Sequence, residues 1–134
     1  MTKIILKGKA GQGIKLLSFV LAHVLRDHPY NIALTTEYSP LVRVGKSSAK
    51  IIFSNELIEN PLIENPDLIY NLTTEKLQKE LLKKYDNKKS MNMTLLGKIL
   101  KEVDIKLDLN NIKKYLPDRF LEQNLEAIKK GYGA

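Results

Sequence analysis

Three glycines stand close together near the start of the chain, at positions 8, 11 and 13, with Gln12 between the last two. Glycine takes positive φ more easily than any other residue, so this spacing suits a tight turn. An apolar run precedes the turn, and an apolar pattern typical of a helix follows it. Backbone N–H groups at the start of a helix attract anions. Gly8, Gly11, Gln12 and Gly13 are therefore candidates for holding a phosphate or a cofactor.

The glycine-rich turn matches two common nucleotide-binding motifs only loosely. A dinucleotide fingerprint requires Gly-x-Gly-x-x-Gly, and Ala10 stands at its second glycine. Glu37 lies roughly where an acid that binds ribose would follow. A Walker motif also fails, because no Lys-Ser or Lys-Thr follows Gly13. A nucleotide site and a purely structural turn therefore both stay open.

A second unusual stretch runs from Arg43 to Ser48 between two predicted strands. An arginine can hold a phosphate or carboxylate in a fork, and a lysine can do so as a point charge. Arg43, Gly45, Lys46 and Ser47 are therefore candidate anion-binding residues. The alternative is a solvated basic turn, since charges in loops are commonly solvated.

The sequence predicts no catalytic residue and no metal site. His23 and His28 have no second histidine or carboxylate at a ligand spacing. No Ser/His/Asp set or pair of carboxylates is recognisable. The chain also has no cysteine, so it holds neither a disulfide nor a thiolate-bound iron–sulfur cluster.

The elements that position these residues alternate between strands and helices. Strands are predicted at residues 3–8, 31–38, 49–54 and 67–72, and helices at residues 12–26, 74–85, 91–102, 109–115 and 118–130. Such alternation favours an α/β fold with a mostly parallel sheet and flanking helices. The length of 134 residues predicts a single domain, 1–134.

Charge and hydropathy narrow the choice of partners. The formal net charge is +7, but most lysines are spread along helix patterns beside glutamates. No motif typical of nucleic-acid binding accompanies the charge, so we expect no nucleic-acid partner. No apolar stretch is long enough to span a bilayer, and no secretory signal is evident. We therefore expect no membrane partner and a cytoplasmic location.

An ordered set of short motifs resembles a known family. The opening Gly8-Lys9-Ala10-Gly11-Gln12-Gly13 is followed by the segment from Tyr38 to Ala49, by Ile58-Glu59-Asn60-Pro61, by an aspartate that opens a strand, Asp67, and by Asn92-Met93 and Gly131-Tyr132. In this order they resemble the gamma subunit of 2-oxoacid:ferredoxin oxidoreductases of the pyruvate and 2-oxoglutarate type. Ala10 and Val44 replace glycines of that family, and the chain looks shortened between Leu72 and Met91.

The resemblance implies a Rossmann-like subunit that is noncatalytic on its own. The complete enzyme would convert a 2-oxoacid and coenzyme A into acyl-CoA and CO2. Its partners would be alpha, beta and ferredoxin-like subunits, which would carry thiamine diphosphate and the iron–sulfur clusters. Coenzyme A would lie near the subunit interface, close to residues 11–13 and 43–47. Two alternatives stay open: a stand-alone nucleotide- or phosphate-binding module, and a trimmed paralogue that acts as a scaffold.

Overall fold

The computed structural model describes residues 1–9, 11–38, 46–59 and 65–133. They form two compact units, Met1–Thr73 and Thr74–Ala134. The prediction of a single domain over residues 1–134 stays a prediction. None of the described helices is both long enough and apolar enough to cross a membrane.

The first unit contains a four-stranded sheet and one long helix. Its elements in chain order are β1 (Thr2–Lys9), α1 (Ile14–Asp27), β2 (Asn31–Tyr38), β3 (Lys46–Ser54) and β4 (Leu68–Asn71). The strands lie in the order β2-β3-β1-β4. The helix packs on β3, β2 and β1 with apolar side chains that include Leu17 and Leu21, both fully buried. Its burial stabilises the sheet because each buried leucine contributes about 1.5–3 kcal/mol.

The direction of the strands differs from the sequence prediction. The α/β class with helices beside a sheet is confirmed, but the sheet is not mostly parallel. β1 pairs with β3 in antiparallel register, and β2 also pairs with β3 in antiparallel register. Only β1 and β4 are parallel among the described strands. Only seven residues separate the end of β2 from the start of β3, whereas a parallel pair requires a crossover of about a dozen residues or more, so these two neighbouring strands pair antiparallel.

The second unit is helical. Its elements are α2 (Glu75–Lys84), a short 3-10 helix (Lys88–Ser90), α3 (Met91–Glu102), α4 (Leu109–Ile112), a second 3-10 helix (Lys113–Tyr115) and α5 (Leu121–Tyr132). The predicted helices are confirmed, although the segment 109–115 divides into α4 and a 3-10 turn. The last helix begins at Leu121 rather than at residue 118.

Two glycines let α3 and α5 cross at backbone contact. A Cβ atom added at Gly97 would lie 2.1 Å from the carbonyl oxygen of Ile128. One added at Gly131 would lie 1.9 Å from the carbonyl oxygen of Thr94. Neither distance is compatible with a side chain, so both positions require glycine for this crossing.

An ion-pair network joins α2 to α3. The ammonium group of Lys98 lies 3.0 Å from a carboxylate oxygen of Glu80 and also contacts Glu102 one turn along α3. Desolvation of the Lys98 side chain lowers its pKa, but the hydrogen bonds and charges of Glu102 and Glu80 together outweigh it. The net result is a pKa of Lys98 raised above the ordinary 10.5. The charged form of Lys98 is therefore favoured in the folded chain.

Candidate functional site

The glycine-rich turn joins the end of β1 to the start of α1. Gly11 has φ +86° and Gly13 has φ +78°, both in the left-handed region that favours glycine. Gly13 is the N-cap of α1, and its carbonyl accepts the first helical hydrogen bond, from Leu17 N–H at 3.0 Å. A glycine N-cap offers no side chain to the first N–H groups of the helix. The predicted turn is therefore present, and its geometry suits an anion at the helix start.

Gly8 has a packing role in this turn. A Cβ atom at this position would lie 2.6 Å from Cγ1 of Ile14, the first residue of α1. The absence of a side chain lets the start of α1 pack directly on the end of β1. Gly8 is buried, so any ligand at the turn would contact the exposed Gly11 or its neighbours before it contacted Gly8.

Gln12 ties the turn to the end of β4. Its side-chain oxygen Oε1 accepts a hydrogen bond from Lys9 N–H at 2.7 Å, and its Nε2 donates to the carbonyl of Leu72 at 3.0 Å. Leu72 N–H in turn donates to the carbonyl of Lys7 at 2.8 Å. Both ends of the Gln12 amide are therefore engaged by the chain itself. Its ligand-binding role stays a prediction, while its structural role is visible in these bonds.

The strand register brings the two predicted segments together. Gly8 lies opposite Ser47, and Lys9 lies opposite Lys46. Lys46 and Ser47 are the first residues of β3 rather than part of a loop, which corrects the predicted start of this strand at Ala49. The segment around Lys46 is therefore adjacent to the glycine-rich turn in space, although more than thirty positions separate them in sequence. Arg43 and Gly45 lie outside the described residues.

The pairing of Lys9 with Lys46 places two exposed ammonium groups on neighbouring strands. Directly opposed residues of an antiparallel pair have Cβ atoms about 4.5–5.5 Å apart, and like charges at such positions destabilise the sheet. A bound anion would relieve this repulsion, because it would pair with both ammonium groups. The two lysines are therefore the strongest described candidates for holding a phosphate or carboxylate.

Carboxyl ends of two parallel strands, β1 and β4, meet at this edge of the sheet. In open α/β sheets, ligands bind in the crevice outside the carboxyl ends of the strands. After β4 the chain is held by Asn71, whose Oδ1 accepts hydrogen bonds from the N–H of Thr73 at 3.0 Å and from its hydroxyl at 2.6 Å. The glycine-rich turn therefore opens at the edge where this fold class commonly binds small molecules.

The two histidines lie away from this edge. His23 makes an edge-on ring contact with Phe19 on the same helix, with ring centroids 4.4 Å apart. His28 is the C-cap of α1, and its N–H donates to the carbonyl of Leu25 at 3.1 Å. Within residues 1–9, 11–38, 46–59 and 65–133, no group of three or more His, Asp or Glu side chains is placed to hold a metal ion.

The sequence prediction did not single out a groove between α1 and β2. The groove has a volume of about 760 Å³. It is lined by Gly13 of the glycine-rich turn and by side chains of the helix and the strand: Lys15, Leu16, Ser18, Phe19, Leu34 and Thr36. Phe19 is 46% exposed and Leu34 is 40% exposed. The sequence signal was present, because Phe19 lies on the face of the helix that carries Lys15 and is not part of the core pattern.

Three solved structures share this fold. The keto/oxoacid ferredoxin oxidoreductase gamma subunit from Geobacter sulfurreducens has a TM-score of 0.69 and 17% identity, with 98% of this chain and 94% of that chain covered. A pyruvate oxidoreductase subunit from Thermotoga maritima has a TM-score of 0.65 and 19% identity, with 98% and 95% covered. These coverages lend no support to the predicted shortening relative to the family, which stays a prediction.

The third structure is a larger protein. The 2-oxoglutarate:ferredoxin oxidoreductase from Magnetococcus marinus has a TM-score of 0.65 and 19% identity. The match covers 98% of this chain but only 30% of that chain. At these identities the three structures show a common fold and nothing more about chemistry.

The sequence itself matches a family model. No curated protein matches the chain. The model described as pyruvate ferredoxin/flavodoxin oxidoreductase, however, matches residues 3–84, which include all of the sheet except Thr2, the glycine-rich turn and α2. The resemblance inferred from the ordered motifs is therefore confirmed, and the chain belongs to the pyruvate ferredoxin/flavodoxin oxidoreductase family.

Proposed function

We propose that this chain is the gamma-type, noncatalytic subunit of a multisubunit 2-oxoacid:acceptor oxidoreductase. The complete enzyme would convert a 2-oxoacid and coenzyme A into acyl-CoA and CO2 and pass electrons to a ferredoxin or flavodoxin. The observation that carries the proposal is the family match over residues 3–84, joined to a fold shared with two separate subunits of such enzymes. The alpha, beta and ferredoxin-like subunits would supply the catalytic centre.

The chemistry of the chain supports a division of labour between subunits. Iron–sulfur clusters are held by cysteine thiolates, and the chain has no cysteine, so its own residues do not fit such a cluster. The sequence contains no recognisable Ser/His/Asp set or pair of carboxylates of the kind that a catalytic site requires. Thiamine diphosphate and the clusters would therefore reside in the partner subunits.

Coenzyme A is the ligand that best fits the basic edge of the sheet. Its phosphate groups are anions, and the exposed ammonium groups of Lys9 and Lys46 lie opposite one another beside the glycine-rich turn. The N–H groups at the start of α1 add partial positive charge near the same turn. In the proposed complex these groups would hold and orient a phosphate of coenzyme A at a subunit interface.

Purification from the native cell with a tag on this chain tests the subunit role. The proposal expects 2-oxoacid-dependent, coenzyme A-dependent reduction of an electron acceptor in the purified complex, and none in the chain alone. Recovery of the chain by itself, or with proteins that lack this activity, would support the scaffold alternative instead. Phosphate or nucleotide binding by the isolated chain, without any complex, would support the stand-alone binding module.

The anion-binding role of the basic edge has its own test. Lys46→Ala and Lys9→Ala should each raise the coenzyme A concentration required for half-maximal activity by about 1.4- to 5-fold, because each removes one exposed charge contact worth about 0.2–1 kcal/mol. Arg43→Ala should act more strongly, roughly tenfold or more, because a forked charge-assisted contact is worth about 1.5–3 kcal/mol. Lys3→Ala, at the opposite end of β1, is the matched control. If all four variants required the same coenzyme A concentration for half-maximal activity at low salt, this role would be contradicted.

A further inference from the structure

Helix α1 carries an apolar outer face that the described residues leave uncovered. Its core face is buried through Ile14, Leu17, Ser18, Val20, Leu21, Val24 and Leu25. From Leu16 to Leu25 the helix contains no Lys, Arg, Asp or Glu, and His23 is the one polar side chain on its outer face there. A helix with so little polar surface over nearly three turns is typical of an element with a second partner beyond its own sheet. Phe19 is nevertheless 46% exposed at the middle of this face.

The edge of the sheet beside α1 has the same character. β2 is the outermost of the described strands next to β3, and its eight residues, Asn31–Tyr38, include neither lysine nor proline. Lysine and proline are common devices that protect an exposed strand edge from pairing. Leu34 is 40% exposed and lines the same groove of about 760 Å³ as Phe19. The helix face and the adjacent strand thus form one mostly apolar surface, the α1–β2 groove.

Two exposed cations flank this apolar surface. Lys15 and Arg26 are eleven positions apart, which is three helical turns, so both lie on the outer face of α1 about 16 Å from each other. Phe19 lies between them on the same face. The surface is therefore an apolar centre with a cationic side chain at each end, and the exposed Asp27 follows Arg26 directly.

The charges decide which kind of occupant fits. A second copy would add another net charge of +7. A two-fold contact through this face would place like charges together in either orientation of the two α1 helices: Lys15 near Arg26 if they run antiparallel, and each cation near its equivalent in the other copy if they run parallel. Like charges placed together across an interface are unfavourable. An apolar segment with carboxylates near both ends is instead complementary to this surface.

We propose that the α1–β2 groove is a docking surface for a different chain, which inserts an apolar side chain between Phe19 and Leu34 and places carboxylates against Lys15 and Arg26. This inference rests on the proposed function, because it identifies the occupant as a partner subunit of the same complex. The groove adjoins the glycine-rich turn at Gly13, but Lys9 and Lys46, which the proposed function assigns to coenzyme A, do not line it.

Hydrogen exchange in the purified complex and in the free chain locates the interface. The proposal expects the backbone amide hydrogens of residues 14–26 and 31–36 to exchange more slowly in the complex than in the free chain. A complex that forms with unchanged exchange in both segments overturns the docking surface and leaves the subunit role standing. Failure to recover any complex overturns both. Sedimentation showing that the free chain dimerises, with the dimer abolished by Phe19→Ser, would make a second copy the occupant and overturn the proposal.

Substitutions measure the contribution of the groove. Phe19→Ser should weaken the complex about 30-fold, as expected for a buried aromatic anchor at an interface. Phe120→Ser is the matched control, since Phe120 is also 46% exposed but belongs to the second unit, and it should leave complex affinity unchanged. Circular dichroism establishes that both variants are folded. Equal affinities of the Phe19→Ser and Phe120→Ser variants would overturn the proposal.

Charge reversal tests the complementarity separately. Lys15→Glu should weaken the complex at least tenfold at low salt, and less at high salt, because screening weakens exposed charge pairs. Lys106→Glu makes the same charge change at an exposed position of the second unit and is the control. An unchanged or tighter complex with Lys15→Glu would show that the occupant is not acidic and would overturn the stated chemistry.

Discussion

Gly131→Ala should destabilise the second unit through a steric clash at the crossing of α3 and α5. The added Cβ atom would lie 1.9 Å from the carbonyl oxygen of Thr94, whereas ordinary contact begins at 3.4 Å. The obstacle is backbone, so no side-chain rotation relieves it and the helices must separate by about 1.5 Å. Overpacking of this kind typically costs about 1–3 kcal/mol.

The gain in helix propensity works in the opposite direction. Alanine in a helix interior is more favourable than glycine by about 1 kcal/mol. Because the clash is with backbone, we take the upper part of the overpacking range, and the net loss is about 2 kcal/mol of the free energy of unfolding. For a chain of this size, that corresponds to a fall in Tm of roughly 8 °C.

Urea and thermal unfolding followed by far-ultraviolet circular dichroism measure this loss. Gly133→Ala is the matched control, because it lies two residues away with φ +89° and with no atom within 4 Å of an added Cβ. Its cost should be only the backbone strain of a left-handed alanine, about 1 kcal/mol. The double variant, Gly97→Ala with Gly131→Ala, should lose less free energy of unfolding than the two single variants lose in total, since either substitution alone already separates the helices. A Gly131→Ala chain as stable as the unsubstituted one would refute the close crossing.

Three further predictions concern other parts of the chain. Gln12→Ala should lower the free energy of unfolding by about 1–2 kcal/mol in urea titrations, because it removes the bonds to Lys9 N–H and to the carbonyl of Leu72; unchanged stability would contradict this. The charged Lys98 stabilises the fold at pH values below the unfolded pKa of 10.5 and loses that contribution as pH rises through its raised folded pKa. Lys98→Met should therefore lower the free energy of unfolding by about 1 kcal/mol at pH 7, and this free energy should fall less above pH ~10.5 than it does in the unsubstituted chain. Parallel curves of unfolding free energy against pH for the two chains would argue against the network. Asp104→Gly should raise the free energy of unfolding by up to about 1 kcal/mol, since Asp104 has φ +59° and glycine relieves that strain; a lower Tm would count against it.

The sequence predicted most elements well because their signals are local. The bounds of β2 at residues 31–38 and of α3 at residues 91–102 agree with the structure. Alternating residues and apolar spacing mark these segments without reference to the rest of the chain. The start of β3 was placed three residues late, because Lys46, Ser47 and Ser48 carry no apolar signal. They are in the strand because β1 and β2 both pair with it.

Strand direction and spatial neighbours were harder to predict from the sequence. The alternation of strands and helices favoured parallel strands, although the absence of a helical pattern between Tyr38 and Lys46 was a signal for an antiparallel pair. The candidate segments were each identified, but the pairing of Lys9 with Lys46 depends on the order of the strands. Likewise, the close approach at Gly97 and Gly131 depends on how two helices cross, which periodicity does not determine.

The order of strands in the sheet also bears on how the chain folds while it is being synthesised. β1, β2 and β3 are complete once Ser54 has been added, and they can form the antiparallel set β2-β3-β1 without β4. Until Asn71 emerges, the outer edge of β1 has no neighbour, and Ile4 and Leu6 stand beside an unpaired backbone. The four residues of β4 then cover part of that edge. A nascent chain stalled between these two points would therefore be exposed to pairing with other nascent chains, whereas one stalled after β4 would be protected along residues 4–7.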